Sequence, residues 1–339
     1  MHAALRPPCG PGGPSTGRGG PLVGRVATPV LLMLFGCPRP ADSTATAPDE
    51  TRSRSSFSGA RAFATLQAWM TRPRTLGNPE RTHSIAALAH DLETRGAEHV
   101  ERIAHAAADP GGTGDYALVE IIGHFREDAG HRFILATHFD TRPWADEEAD
   151  PALHDSAVPG ANDGTSGLAV VLELIEPLLA RLPTDVGFSV VLFDGEELGR
   201  PTLGGYCMGS RHLGEQISGG RHPLLAAAEF GIVLDMVGDI DLRLLVESNS
   251  LAAHPALVEH VWGTALALGV DAFDPTTRSV GIIDDHKFLT SAGIPSILLI
   301  DRQYAAWHRV DDTIERIDPG SLARVGMVVL ESVVRWYER

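Results

Sequence analysis

The chain has 339 residues, of which 43% are hydrophobic and 21% are charged. This composition is typical of a globular protein that is long enough to bury a large core. The formal net charge of −16 argues against a nucleic acid partner, because surfaces that bind phosphates need an excess of Lys and Arg. Three cysteines are too few for a disulfide framework, so we expect buried apolar surface to stabilise the fold.

The N-terminal region differs in kind from the rest of the chain. Residues 1–24 are rich in Pro and Gly, and an apolar run from Val26 to Phe35 follows Arg25. A positive flank before an apolar run too short to span a bilayer is typical of a secretory signal. We therefore interpret residues 1–36 as a signal peptide.

The end of this segment, Leu-Phe-Gly-Cys at residues 34–37, resembles a bacterial lipoprotein signal. That resemblance predicts an exported protein, either periplasmic or tethered to the membrane through a lipidated Cys37. Ordinary signal cleavage and a misassigned start codon are alternatives. Residues 37–57 are rich in Ser, Thr, Ala and Pro and are predicted to be a flexible linker, so the folded domain is predicted to span residues 58–339.

Helices and strands alternate along the predicted domain. Apolar residues at helical spacing predict the helices, and short runs rich in β-branched and aromatic residues predict the strands. In chain order we expect helices at 60–70 and 84–95, strands at 116–122 and 132–137, a helix at 165–182, strands at 186–193, 231–234 and 242–246, a helix at 255–268, a strand at 296–300 and a helix at 319–337. The alternation predicts an α/β fold around a sheet of mixed direction.

The most informative stretch is the apolar run at 186–193 and the acidic turn after it, Asp194-Gly195-Glu196-Glu197. Ligands of open α/β sheets bind at the carboxyl ends of the strands. Two adjacent glutamates at such an end repel each other unless a cation is near. A metal ion would make one glutamate a ligand and leave its neighbour as a base. A solvated acidic loop is the alternative, since charged residues are mostly exposed.

Four more potential ligands lie beside predicted element ends. His138 and Asp235 each follow a strand, Asp163 precedes a helix, and His308 lies in a late loop. Each alone has an ordinary alternative: a packed or surface histidine, a helix cap at Asp163, a solvated turn acid at Asp235. Their shared placement predicts that the fold brings them to one rim of the sheet. Imidazoles and carboxylates without a thiolate suit a catalytic zinc ion.

These motifs, in this order, resemble the zinc aminopeptidase family M28: His138-x-Asp140, Gly160-Ala-Asn-Asp163-Gly, Glu196-Glu197, Asp235-Met236 and His308. Four further stretches resemble the glutaminyl-peptide cyclotransferase branch of that family, at residues 141–146, 209–213, 284–286 and 307–312. The resemblance covers roughly residues 57–339. It implies a single-domain, three-layer α/β/α sandwich with a central mixed, mostly parallel sheet.

The resemblance also implies an activity, the conversion of N-terminal glutamine of peptides or proteins to pyroglutamate with release of ammonia. One zinc ion would be held by Asp163, Glu197 and His308. Glu196 would be the general base, and Asp285 would belong to a carboxylate network beside it.

The same resemblance implies that Asp235 is the second member of this carboxylate network. Trp307 and His138 would line the substrate pocket. The resemblance carries no prediction of the oligomeric state.

A two-zinc aminopeptidase is the main alternative. There, His138 and Asp235 would hold a second zinc ion, Asp163 would bridge both ions, and Glu196 would activate a water molecule. A binding protein that kept the fold but lost catalysis is a third possibility, and the intact Glu196 argues against it.

Overall fold

The computed structural model describes residues 56–72, 74–112 and 114–338, which lie in the compact unit spanning residues 48–339. The predicted signal peptide and Cys37 lie outside the described residues, and so does most of the predicted linker. None of the described helices combines the length and apolar character that crossing a membrane requires.

A six-stranded mixed sheet is the main sheet of the described residues. Across the sheet the strands lie in the order β1 (His99–Ala108), β2 (Asp115–Phe125), β4 (Val186–Phe193), β3 (His131–His138), β5 (Gly231–Asp235) and β8 (Ser296–Ile300). The pairs β1–β2 and β2–β4 are antiparallel, and the remaining pairs are parallel. A small parallel pair is formed by β6 (Leu244–Glu247) and β7 (Phe273–Ser279).

Nine α-helices of the described residues pack around these strands. They are α1 (Gly59–Met70), α2 (Arg81–Thr94), α3 (Ser166–Arg181), α4 (Met208–Ser218), α5 (Pro223–Ala226), α6 (Ser248–Ala253), α7 (Pro255–Ala267), α8 (Asp285–Ser291) and α9 (Pro319–Tyr337). Short 3-10 turns lie at Pro151–Leu153 and Ile314–Arg316.

The central strands bury both of their faces. Leu135 and Leu192 belong to a hydrophobic cluster that includes residues of α1, α3 and α9. Their neighbours Ile134 and Val191 belong to a second cluster that includes residues of α4 and α8. Because successive side chains of a strand point to opposite faces, a strand that is covered on both sides is apolar along most of its length. This confirms the predicted three-layer α/β/α sandwich.

The predicted elements are present with small shifts at their ends. The strand predicted at 242–246, for example, spans Leu244–Glu247. Strands β1 and β7 and helices α4, α5, α6 and α8 were not predicted from the sequence. The residues of β1 alternate between exposed and half-buried and include charged and histidine side chains, so β1 lacks the apolar run that indicates a strand.

Candidate metal centre

The parallel strands place the predicted ligands at one edge of the sheet. His138 ends β3, Asp235 ends β5, and Glu197 lies in the turn after β4. Asp163 precedes α3, and Gly164 after it adopts a φ of +87° close to the backbone oxygen of Asp140, where a Cβ would lie 2.3 Å away. Glycine is therefore required at this turn, which sets Asp163 against the strand ends.

All five predicted ligands lie together. His138, Asp163 and Glu197 are buried, and each presents a ligand atom within 4.8 Å of the others. Nε2 of His308 lies 3.4 Å from Oε2 of Glu197 and 3.9 Å from Oδ2 of Asp163. Nε2 of His138 lies 3.3 Å from Oδ1 of Asp163 and 3.1 Å from Oδ1 of Asp235. Each oxygen of Asp163 thus faces one histidine.

Burial rules out the surface alternatives for these side chains. His138 is 2% exposed, Asp163 3% and Asp235 7%, so none of them is a surface group or a solvated turn acid. The N-cap of α3 is Thr165, so Asp163 does not cap that helix. A buried polar group needs a partner, and these three residues face one another.

The cluster concentrates carboxylates in a buried place. Burial, together with the charge of Asp235, raises the pKa of Asp163 to about 6. Burial and the charge of Asp163 raise the pKa of Glu197 to about 8. Burial raises the pKa of Glu196 well above its ordinary value, and the neighbouring carboxylates of Glu197 and Asp285 add to the effect. A bound cation would relieve this repulsion.

The donor set fits a zinc ion. Within the described part of the chain, Oε1 of Glu197 is buried without a hydrogen-bond partner. Such an oxygen is free to bind a cation. Two imidazoles and three carboxylates are ligands that zinc accepts in catalytic sites. Asp163, Glu197 and His308 form one possible set, and His138, Asp163 and Asp235 form a second set that shares Asp163.

Two buried carboxylates fix the loops that carry the candidate ligands by accepting hydrogen bonds from their backbone N–H groups. Asp140 accepts hydrogen bonds from the backbone N–H groups of Glu196 at 3.3 Å and Glu197 at 3.1 Å. Asp312 accepts from the N–H of Asp163 at 3.1 Å and from the hydroxyl of Tyr304 at 2.7 Å. No role was predicted for Asp140 or Asp312, although both lie in the motif stretches that carry the resemblance.

Arg142 joins two of the candidate ligands. Its buried guanidinium donates to the backbone oxygen of Glu197 at 2.9 Å and makes two bonds of 2.7 Å to Asp146. Asp146 in turn lies 3.5 Å from Nδ1 of His308. Although burial opposes it, contacts with His308 and Arg142 lower the pKa of Asp146 below its ordinary value. A charged carboxylate at Nδ1 turns Nε2 toward a metal.

A cavity of about 350 Å³ adjoins the cluster. Its charged and polar lining includes Asp163, Glu196, Asp235, Asp284 and His308, and its apolar lining includes Met236, Ile282, Ile300 and Trp307. The indole of Trp307 stacks on the ring of His308 with 3.8 Å between centroids.

Three predicted site residues, His138, Glu197 and Asp285, lie outside this lining. His138 contacts Asp163 and Asp235, as described above. Asp285 is buried in the first turn of α8, and its neighbour Asp284 lines the cavity. Asp285 still influences Glu196, because its charge contributes to the raised pKa of that carboxyl group.

Comparisons with known proteins identify the family of the chain. The model of "Peptidase family M28" matches residues 120–333. The curated relative Aminopeptidase YwaD of Bacillus subtilis is 28% identical over 207 residues, which are 59% of this chain and 40% of that protein. The matched region thus spans less than half of this relative.

Two solved structures are similar over most of the chain. A Zn-dependent exopeptidase from Parabacteroides distasonis is 29% identical, with a TM-score of 0.76 and coverage of 84% of this chain and 99% of that one. The glutaminyl cyclase of Porphyromonas gingivalis is 30% identical, with a TM-score of 0.76 and coverage of 83% and 99%. With a family model that spans more than half of its length and a site built from that family's motifs, the chain belongs to peptidase family M28.

Proposed function

We propose that the protein is a zinc-dependent glutaminyl-peptide cyclotransferase that acts on the N-termini of peptides or proteins, in the periplasm or tethered to the membrane through Cys37. The observation that carries the proposal is one cavity of about 350 Å³ that contains Glu196, Asp163, His308 and the indole of Trp307. A cavity of this size suits one folded glutamine side chain, and cyclisation needs the reacting groups held close together. The similarity to the Porphyromonas gingivalis glutaminyl cyclase supports this activity.

In the proposed reaction, the α-amine of the substrate glutamine attacks its own γ-carbonyl carbon. A ring C–N bond forms, and the C–N bond to the leaving ammonia breaks. Glu196 accepts a proton from the amine and returns it to the leaving nitrogen. A zinc ion held by Asp163, Glu197 and His308 would supply Lewis acidity toward the γ-carboxamide oxygen.

Further carboxylates would orient the leaving group. Asp235 and Asp284 line the cavity and would accept hydrogen bonds from the leaving nitrogen. Together with burial, the negative charge of Asp285 would raise the pKa of Glu196. Trp307 would form an apolar wall against the methylene groups of the substrate.

A two-zinc aminopeptidase is the second candidate, and one observation favours it. Both oxygens of Asp163 face a histidine, which is the arrangement of a carboxylate that bridges two ions. The similarity to Aminopeptidase YwaD and to the Zn-dependent exopeptidase supports this candidate. Glu196 would then take a proton from a water molecule that attacks the first peptide bond.

Product analysis of the purified protein separates the two candidates. We expect a peptide that begins with glutamine to lose one ammonia and keep its length, and a peptide that begins with leucine to stay intact. Mass spectrometry and an ammonia assay measure both reactions, and atomic absorption gives the zinc content, expected to be one ion per chain. Release of free leucine, with two zinc ions per chain, would establish the aminopeptidase instead.

Arg302 is expected to influence which peptides are used. It lines the cavity, and its guanidinium lies 4.6 Å from the centroid of the Trp307 ring. Within the described ranges, no carboxylate forms an ion pair with it. Among the described residues, Arg302 is the one arginine in this lining, so it would attract an acidic residue that follows the N-terminal glutamine.

We therefore expect Arg302→Glu to lower kcat/KM for a Gln-Glu peptide about tenfold and to raise it for a Gln-Lys peptide. Steady-state rates on the two peptides check this. Arg211→Glu is the matched control, because Arg211 also stacks on an aromatic ring, that of Phe288, but does not line the cavity. Equal effects of Arg302→Glu on both peptides would exclude a role in selectivity.

A further inference from the structure

The thiol of Cys207 contacts the candidate base. Its Sγ donates a hydrogen bond to Oε1 of Glu196 at 3.2 Å, and Cys207 has no exposed surface. Burial and the charge of Glu196 raise the pKa of the thiol well above its ordinary value. The thiol therefore remains protonated and acts as a hydrogen-bond donor.

Backbone contacts fix the thiol against the acidic turn. The N–H groups of Cys207, Met208 and Gly209 donate in succession to the backbone oxygens of Glu196 at 3.1 Å, Gly195 at 3.0 Å and Asp194 at 3.1 Å. A Cβ at Gly209 would lie 2.3 Å from the oxygen of Asp194, so only glycine allows this close approach. The backbone of the two segments is therefore held together by contacts that do not involve the thiol.

The conformation of Cys207 agrees with a fixed position. Its φ of 56° and ψ of 41° are in the left-handed region, directly before α4. Residues other than glycine rarely adopt this conformation, and it persists where the surrounding structure imposes it. The three successive hydrogen bonds impose it here.

The contact distinguishes the two oxygens of Glu196. Oε1 accepts the hydrogen bond of the thiol, and Glu196 lines the cavity, so Oε2 is the oxygen that remains to accept a proton from the substrate. A thiol is a weak donor. It can therefore orient the carboxylate without stabilising its charge as strongly as an arginine would.

We propose that Cys207 is a positioning residue whose thiol holds Oε1 of Glu196, so that Oε2 is directed at the proton that the base must accept. The proposal depends on the role of Glu196 in the proposed function. It applies equally to an amine proton of glutamine and to a proton of attacking water.

The kinetic test compares Cys207→Ala with Cys207→Ser. We expect Cys207→Ala to lower kcat about tenfold, with KM and zinc content close to those of the wild type, because one hydrogen bond to a charged group is lost. Cys207→Ser should recover most of kcat, since its hydroxyl can donate to the same oxygen. Wild-type kcat in Cys207→Ala would overturn the proposal, as would a folded Cys207→Ser that is as slow as Cys207→Ala.

A spectroscopic test does not depend on turnover. The infrared difference spectrum between wild type and Cys207→Ser isolates the S–H stretching band of this one thiol. We expect the band at a lower frequency than that of a free thiol, and we expect it to rise in Glu196→Gln, where the acceptor is uncharged. An unshifted band would overturn the hydrogen bond itself. If the S–H band is shifted but the protein neither cyclises a glutaminyl peptide nor releases leucine, the hydrogen bond stands and the proposed function is overturned.

Discussion

Glu196→Gln is expected to remove turnover while leaving the fold and the zinc content unchanged. The amide keeps the shape of the carboxylate but cannot accept the proton of the attacking amine. A general base of this kind typically contributes about 10²–10⁴-fold in rate, and kcat should fall by that factor. Ammonia release from a glutaminyl peptide measures the loss, with circular dichroism for the fold and atomic absorption for zinc.

Two variants serve as comparisons for this result. Glu215→Gln changes an exposed glutamate of α4 and should keep wild-type kcat. Glu197→Gln changes the adjacent residue, a candidate ligand, and should lose zinc as well as activity. Turnover at the wild-type rate in Glu196→Gln would remove Glu196 from the mechanism.

His308→Ala is expected to weaken zinc binding by more than roughly 100-fold. Removing an outer partner of a metal ligand typically costs 10–100-fold in affinity, and removing a ligand itself should cost more. The backbone of His308 is held at a φ of 56°, and Asp146 lies at its Nδ1, so the structure presents Nε2 to Glu197 and Asp163. Competition with a chelator of known affinity measures the change.

His90→Ala is the control, because the side chain of His90 is 74% exposed and lies on α2, away from the cluster. Unchanged zinc affinity in His308→Ala would contradict its assignment as a ligand. His138→Ala gives a further distinction. In a one-zinc enzyme this variant retains its ion, whereas in a two-zinc enzyme it drops from two ions to one.

Much of the site is predictable from the sequence, because its residues lie next to elements that the sequence encodes locally. The run at 186–193 is apolar apart from Ser189, as is typical of a strand such as β4 that is buried on both faces. Parallel strands end at the same edge of the sheet. His138, Asp235 and the Glu196-Glu197 pair each follow such a strand, so their proximity follows from the order of elements alone.

Other features of the site and the fold could not be predicted, because they depend on contacts between residues far apart in the chain. Asp312 holds the N–H of Asp163 across 149 positions, and Arg142 reaches Glu197 across 55. Strand β1 has no apolar run of its own and pairs with β2 along its whole length. None of these features has the run or spacing of apolar residues from which an element is predicted.

The sequence by itself determined the α/β architecture and the identities of the candidate ligands, because hydrophobic periodicity and short motifs are properties of neighbouring residues. Only the tertiary structure decided that Asp163 faces a histidine on each oxygen, that Asp284 rather than Asp285 lines the cavity, and that a thiol touches Glu196. Those facts depend on the relative placement of separate loops. That placement is set by packing and backbone hydrogen bonds across the whole sheet, which no local pattern records.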